Sequence, residues 1–347
     1  MKNKNVVLGL TAFVLFYLIF ELLSRIVLSF LGYSFFKPKN FIVSHHYKEL
    51  EAVLKTTITK DDGYTDILIL GGSVISSSWS RMDTRLDSLL SNNTQQKIRV
   101  FDVAIPGHTS LDNAIKYDLL KKKQFDLVIF YEAINENRAN NIKPAFFKKD
   151  YSHIEWYYHI NLLRKHPEIN YTTLPYLLHK AILTLIKKVG GYKFIETDNV
   201  RKENRPYGGV IKTEKSYEEN LQAIIDLSKV KNEQLLLLGY TSFFPKVNFL
   251  GDPSDAQYFA KNCKKAAIVT VWGDTRNVEK GINIHNKVLA KLANTNNTHY
   301  FDMQKAVPQE VDYFCDICHL SEKGCNIFAE KLVNYIHSEN IFNTAKK

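Results

Sequence analysis

After Met1, Lys2 and Lys4, the chain runs through fifteen uncharged residues, Val6 to Phe20. Counting on to Tyr33 gives 28 residues in which only Glu21 and Arg25 carry charge. A helix of about 20 residues spans a bilayer, so this stretch predicts a membrane-crossing helix. Glu21 and Arg25 stand four apart, on one helical face where they can pair. Arg25 can alternatively snorkel to the interface. No small-x-small cleavage site follows the apolar run, which argues against a removed signal peptide. Lys2 and Lys4 favour a cytosolic N-terminus, although Lys37, Lys39 and Lys48 weaken the charge difference. The expectation is a single-pass signal-anchor within residues 1–36, with the rest of the chain on the extracytoplasmic side. The competing reading is a buried or amphipathic helix of a soluble protein.

Residues 37–65 read as a linker with one short helix, "YKELEAVLK". The pattern then changes to short apolar runs separated by amphipathic ones, over 66–347. "DILILGG", "KIRVFDVAIPG", "FDLVIFYEAINE", "EQLLLLGYT" and "THYFDM" predict five strands. Between and after them lie helical repeats. Met82, Leu86, Leu89 and Leu90 share a face, as do Leu111, Ile115, Leu119 and Leu120. "YEENLQAIIDLSKVKN", "NIHNKVLAKLANTNN" and "SEKGCNIFAEKLVNYIHS" complete the set. Strands that are apolar throughout and alternate with helices indicate an α/β fold, its parallel sheet covered on both faces. Residues 140–210 interrupt the alternation with the aromatic run "FFKKDYSHIEWYYHI" and the apolar-basic helix "LPYLLHKAILTLIKKVGG". This insert predicts a helical cap or side wall. Its long helix is too short to cross an ordinary bilayer, which leaves only a second membrane contact open.

Composition narrows the picture less. The 347 residues suffice for one large domain or two small ones, and an apolar share of 45% fits a packed core. The net charge of +10 comes from scattered lysines without any nucleic-acid module, so nucleic acid is not an expected partner. Four cysteines in a chain this long do not make a disulfide scaffold.

In an open parallel sheet, ligands bind outside the carboxyl ends of the strands. Four polar signals fall there: "GGSV" with Ser73, "IPGHTS" with Gly107, "YEAINENR" with Asn135, and "DICHL" with Asp316 and His319. Neither a P-loop nor a dinucleotide glycine fingerprint is present. A serine at a strand-to-helix turn is exposed, and the helix behind it favours negative charge. Both suit a nucleophile, although a Ser73 that only caps a helix is the bland alternative. His319 would take the Ser73 proton, and Asp316, three residues away, would hold the imidazole tautomer. The Ser73 and Gly107 amides and the Asn135 side chain would receive the resulting oxyanion. The alternative for Asn135 is an ordinary turn asparagine.

Cys315, Cys318, Cys325 and His319 offer a rival, since four soft ligands within eleven residues suit zinc, and Cys-x-x-Cys-His resembles a haem attachment site. Either metal would leave Ser73, Gly107 and Asn135 unexplained. In an exported domain a disulfide is the further option, among Cys263, Cys315, Cys318 and Cys325, with its connectivity open. Inert buried thiols remain another.

These residues resemble the four blocks, in order, of the SGNH hydrolases, the GDSL-type esterase/lipase superfamily, over about 66–138 and 215–340. "GGSV" is similar to the nucleophile block of the GGS-type branch, with Gly72 where the name-giving aspartate usually stands. Gly107 is similar to the second block's glycine. "AINE" resembles the third block, with Ala133 for its glycine and Glu136 for its aspartate. Asp316 and His319 resemble the last block. The resemblance implies a flavodoxin-like three-layer α/β/α sandwich with a mostly parallel five-stranded sheet. It also implies a Ser73–His319–Asp316 triad and neither cofactor nor metal. The implied activity is hydrolysis of an acyl or acetyl ester on a cell-surface carbohydrate or lipid. O-acyl transfer by the same triad, or a catalytically silent role in envelope assembly, are the alternatives.

Overall fold

The computed structural model describes residues 2–30, 40–60, 62–91, 97–190, 194–195, 200–246, 258–259, 263 and 267–342. The chain divides into two compact units: Met1–Glu51 with Glu155–Phe194, and Ala52–Ile154 with Ile195–Lys347.

The second unit is built on five strands: β1 Tyr64–Gly71, β2 Lys97–Asp102, β3 Leu127–Tyr131, β4 Gln234–Gly239 and β5 His299–Asp302. They lie in the order β2-β1-β3-β4-β5, and every pairing is parallel. Central strands covered on both faces have no polar side to present. Hence Ile67–Leu70, Leu127–Tyr131 and Leu236–Leu238 are buried throughout. The faces alternate. Ile67, Ile69 and Ile129 join a cluster with Met82, Leu86, Leu90, Phe328, Leu332 and Val333, on helices Met82–Ser91 and Glu322–Ser338. Phe130 points the other way, its ring 6.4 Å from that of Tyr217 on helix Glu214–Lys231. Helices Ser110–Leu119 and Thr275–Asn296 complete the helical set that the periodicity predicted. The architecture is the three-layer α/β/α sandwich expected.

Register is what places the site. Gly71 pairs with Tyr131, so β1 and β3 end level, and β2 ends at Asp102 opposite Ile69, two residues earlier along β1. The residues that follow each of them therefore emerge at one sheet edge.

In the first unit, helix Lys2–Phe30 leaves Val6–Leu10 and Phe13–Phe16 exposed. Leu28 enters a small apolar cluster with Phe41, Leu162, Leu163, Ile169 and Tyr176. Tyr17, Glu21, Ser24 and Leu28, spaced by four, three and four, form the helix's covered seam. Of the segment expected to be a linker, residues 37–39 and 61 lie outside the described residues. The rest holds two helices rather than one, Phe41–His46 and Leu50–Lys55. The first went unread because it is only six residues long; Asn40 caps it by accepting from the Val43 amide, and Phe41 and Val43 are buried. Of the insert expected at 140–210, helices Glu155–Arg164 and Leu174–Gly190 belong to the first unit. Residues 191–193 and 196–199 of it lie outside the described residues.

Candidate active site

β1 runs out at Gly71, and the chain turns sharply over 73–75 before helix Ser77–Ser80. Ser73 is fixed by its carbonyl, which accepts from the Ser76 hydroxyl at 2.7 Å. Position 72 admits no side chain: a Cβ there would lie 2.0 Å from Glu132 Oε2 and 2.8 Å from Asn135 Nδ2. The glycine before the serine thus lets the end of β3 close on the turn. The helix behind Ser73 has only four residues. The field expected from a helix start is correspondingly small, since a macrodipole needs aligned turns. The Ser77 amide at that start donates to Asp102, whose carboxyl burial pushes up to about 7.

His319 bridges the other two residues. Its Nε2 lies 2.8 Å from Ser73 Oγ and its Nδ1 2.7 Å from Asp316 Oδ2. Asp316 also accepts from the amides of Cys318 at 2.9 Å, His319 at 2.8 Å and Ala267 at 2.8 Å. Burial alone would raise this carboxyl. The charge that His319 carries whenever its ring is protonated, and the donated hydrogen bonds, outweigh burial and hold it below its ordinary value. A carboxylate that accepts four N–H groups stays ionised, so His319 Nδ1 keeps its proton and Nε2 faces the serine as an acceptor. Ser73 is 9% exposed and His319 6%, so bulk water is largely excluded from their contact.

Gly107 follows β2 and adopts φ +84°, a left-handed conformation open to glycine without strain. Neither its amide nor that of Ser73 donates to an acceptor among the described residues. Asn135 is brought to the same edge but is fully engaged. Its Nδ2 donates to the His108 carbonyl at 3.0 Å and to Glu132 Oε2 at 3.1 Å, and its Oδ1 accepts from Trp272 Nε1 at 3.1 Å. The indole N–H can only donate, so it fixes which end of the Asn135 amide faces which way.

Three supporting residues, Trp272, Trp79 and Glu132, escape the sequence reading, which takes a fourth, Glu136, only as the counterpart of the third block's aspartate. Trp272 orients Asn135. Trp79 lies beside His319, ring centroids 4.2 Å apart, and its Nε1 is tied to the Leu320 carbonyl at 3.0 Å. Glu132 accepts from the Asn135 amide at 2.7 Å. Burial drives its carboxyl well above the ordinary value. Glu136 accepts from the Ser110 amide and the Tyr151 hydroxyl, and burial pushes its carboxyl up to about 7. Nothing local in the sequence joins the two tryptophans to residues 135 and 319, which are far from them in the chain.

Glu136 makes stability pH-dependent. Its folded pKa lies above its unfolded value of 4.5. Between these values the unfolded chain has released a proton that the folded chain retains, so stability falls as pH rises through that window. Glu136→Gln keeps an acceptor for Ser110 and offers an N–H to the Tyr151 oxygen. Urea unfolding at pH 5 and pH 8 is expected to show the variant losing less stability across the interval, by on the order of 3 kcal/mol.

The cysteines resolve into one disulfide, Cys263–Cys315, and two buried thiols, Cys318 and Cys325. Donor atoms of Asp316, Cys318 and His319 lie within 4.8 Å of one another. Both His319 nitrogens are already engaged, Cys315 is oxidised, and burial raises the Cys318 thiol far from the thiolate a metal binds. These residues do not fit zinc or haem. The disulfide instead ties Cys263, four residues before Ala267, to the residue next to Asp316. Reduction by dithiothreitol is expected to lower stability by about 2–4 kcal/mol. Thermal melts with and without reductant check this.

No family model and no curated protein matches the chain. Solved structures do. A GDSL-like lipase from Bacteroides thetaiotaomicron aligns with 14% identity and a TM-score of 0.43, over 85% of this chain and 98% of its own. A lipase/acylhydrolase from Enterococcus faecalis aligns with 12% identity and a TM-score of 0.43, over 79% and 96%. An acetyl xylan esterase aligns with 14% identity and a TM-score of 0.41, over 78% and 99%. The likeness is one of fold.

Proposed function

We propose that the chain is a serine hydrolase of the SGNH type that cleaves acyl or acetyl esters. The observation that carries this reading is His319, held at 2.7 Å by Asp316 and at 2.8 Å from Ser73. Ser73 Oγ attacks the ester carbonyl while its proton passes to His319 Nε2. The C–O bond to the alcohol breaks, and the alcohol leaves with that proton. Water, giving a proton to His319, then attacks the acyl-serine; the bond from the acyl carbon to Ser73 Oγ breaks, His319 returns the proton to Ser73 Oγ, and the acid is released. Asp316 stabilises the imidazolium in both halves.

The Ser73 and Gly107 amides receive the oxyanion in this reading. Asn135 contributes by sharing the amide hydrogen that now reaches the His108 carbonyl; such bonds tighten when substrate arrives. Trp79 is half-buried beside His319, and its indole gives a face on which a sugar ring can stack. A disulfide next to Asp316 and a long apolar N-terminal helix both suit an anchored protein in an oxidising, extracytoplasmic compartment. Acetyl groups on a cell-surface carbohydrate are therefore the substrate we favour. O-acyl transfer would use the same acyl-serine with a sugar hydroxyl in place of water.

The purified full chain is expected to release acetate from 4-nitrophenyl acetate and from acetylated polysaccharide. Absence of acetate from both, in folded protein, would overturn the hydrolase reading. Acetate retained on an added acceptor sugar would assign the chain to transfer.

A further inference from the structure

Helix Leu174–Gly190 carries apolar residues on two faces. Tyr176 is buried, and Leu177 and Leu183 pack against the first unit's apolar cluster. Leu178, Ile182, Leu185, Ile186 and Val189 are between 56% and 92% exposed. Their spacing of four, three, one and three residues gathers them within about 100° of the helix surface. Exposed Lys188 flanks this stripe.

The start of this helix is welded to the N-terminal helix. Glu21 accepts from the Thr173 amide at 2.9 Å, the Leu174 amide at 3.1 Å and the Thr172 hydroxyl at 2.8 Å. It thereby caps the first turn of Leu174–Gly190. Arg25 pairs with Glu21 at 2.8 Å and donates to the Tyr171 carbonyl at 2.6 Å. The charged pair in the apolar stretch is thus a docking point for a second helix.

Depth follows from length. Lys4 to Phe20 is 17 residues, about 25 Å of helix, close to the roughly 30 Å hydrocarbon core of a bilayer. A helix that enters at Lys4 nears the far headgroup boundary at Glu21, and its exposed apolar residues continue to Phe30. The first turn of Leu174–Gly190 is fastened there, with an apolar stripe uncovered.

We propose that Leu174–Gly190 is an interfacial membrane helix, its exposed stripe seated in the headgroup boundary of the bilayer that the N-terminal helix crosses. The inference rests on reading that N-terminal helix as bilayer-crossing. Apolar burial of five side chains on one face, with lysine at its edge, is how such helices hold to a surface containing anionic lipid. The contact gives the first unit two attachments, which restrains its tilt in a way one spanning helix does not.

The test uses the full chain in vesicles of phosphatidylethanolamine and phosphatidylglycerol. Leu185→Cys and Phe13→Cys are each labelled with nitrobenzoxadiazole, and doxyl-labelled lipids serve as quenchers. The native free thiols, Cys318 and Cys325, are buried and do not compete. Expected is at least about twofold quenching at positions 185 and 13, strongest with shallow doxyl groups at 185 and deep ones at 13. Quenching at 13 without quenching at 185 overturns the inference and leaves the anchor standing. Quenching at neither removes the anchor and the inference together. A dry signal at 185 that ignores doxyl lipid and fades on protein dilution would show a second copy covering the stripe, which also overturns it.

Discussion

Ser73→Ala is expected to lower kcat/KM for ester hydrolysis by about 10⁴-fold or more, with the fold intact. The change removes one oxygen from a small, buried side chain. Ser73 Oγ is hydrogen-bonded to His319 Nε2, and its loss leaves that nitrogen facing a small gap. The turn itself is held by the Ser73 carbonyl and the close fit of Gly72 on Glu132, which the substitution does not touch. Residual activity would come from water oriented by His319 and from the oxyanion donors. The measurement is steady-state hydrolysis of 4-nitrophenyl acetate beside a thermal melt. A loss of activity accompanied by an unchanged melting temperature supports the assignment. A variant within tenfold of the native rate would remove Ser73 from the chemistry.

Asp316→Asn is expected to cost on the order of 10³–10⁴-fold in kcat, with KM changed far less. The native carboxylate accepts from three backbone amides and from His319 Nδ1. An amide offers only one acceptor oxygen. If its nitrogen takes the Oδ2 position, it faces His319 and Ala267, and the ring flips to the tautomer protonated on Nε2. That tautomer donates toward Ser73 and cannot take its proton. If its nitrogen takes the Oδ1 position, the Cys318 and His319 amides lose their acceptor. Each orphaned buried donor costs about 1–3 kcal/mol, so the variant is also expected to be less stable. The sign with pH is defined: the Asp316 carboxyl is held below its ordinary 3.8, so its contribution is full above that value and lost as pH falls through the folded pKa. Asp316→Asn should therefore flatten the acid limb of the native stability curve.

Much of the fold is legible because the central strands carry a signal that does not depend on tertiary context. Runs such as Ile67–Leu70 and Leu127–Tyr131 have no polar face, which only a doubly covered sheet accommodates. The rule that parallel sheets work at their carboxyl edge points to positions 73, 107, 135, 316 and 319, and the parallel register brings the ends of β1, β2 and β3 to one edge. Spacing could not reveal what the edge does with them. Asn135 is expected among the oxyanion donors, and spacing does not show that its side-chain hydrogens have acceptors on Glu132 and at His108. Trp272 is far from Asn135 in the chain, and no periodicity links an indole to an amide across that gap. The disulfide between Cys263 and Cys315 was one of several pairings, since sequence distance says nothing of Cα separation. Glu21 looked like half of an intrahelical pair. It is that, and it also caps a helix some 150 residues away, which only the packing reveals.

The central claim is that Ser73 is an activated nucleophile. The most direct measurement is intact-mass and peptide analysis of the full chain after brief exposure to a fluorophosphonate, beside Ser73→Ala. The account predicts one adduct per native chain, located on the peptide containing Ser73, and none on the variant. An unlabelled native protein that is folded by circular dichroism, or an adduct on any other residue, would contradict it.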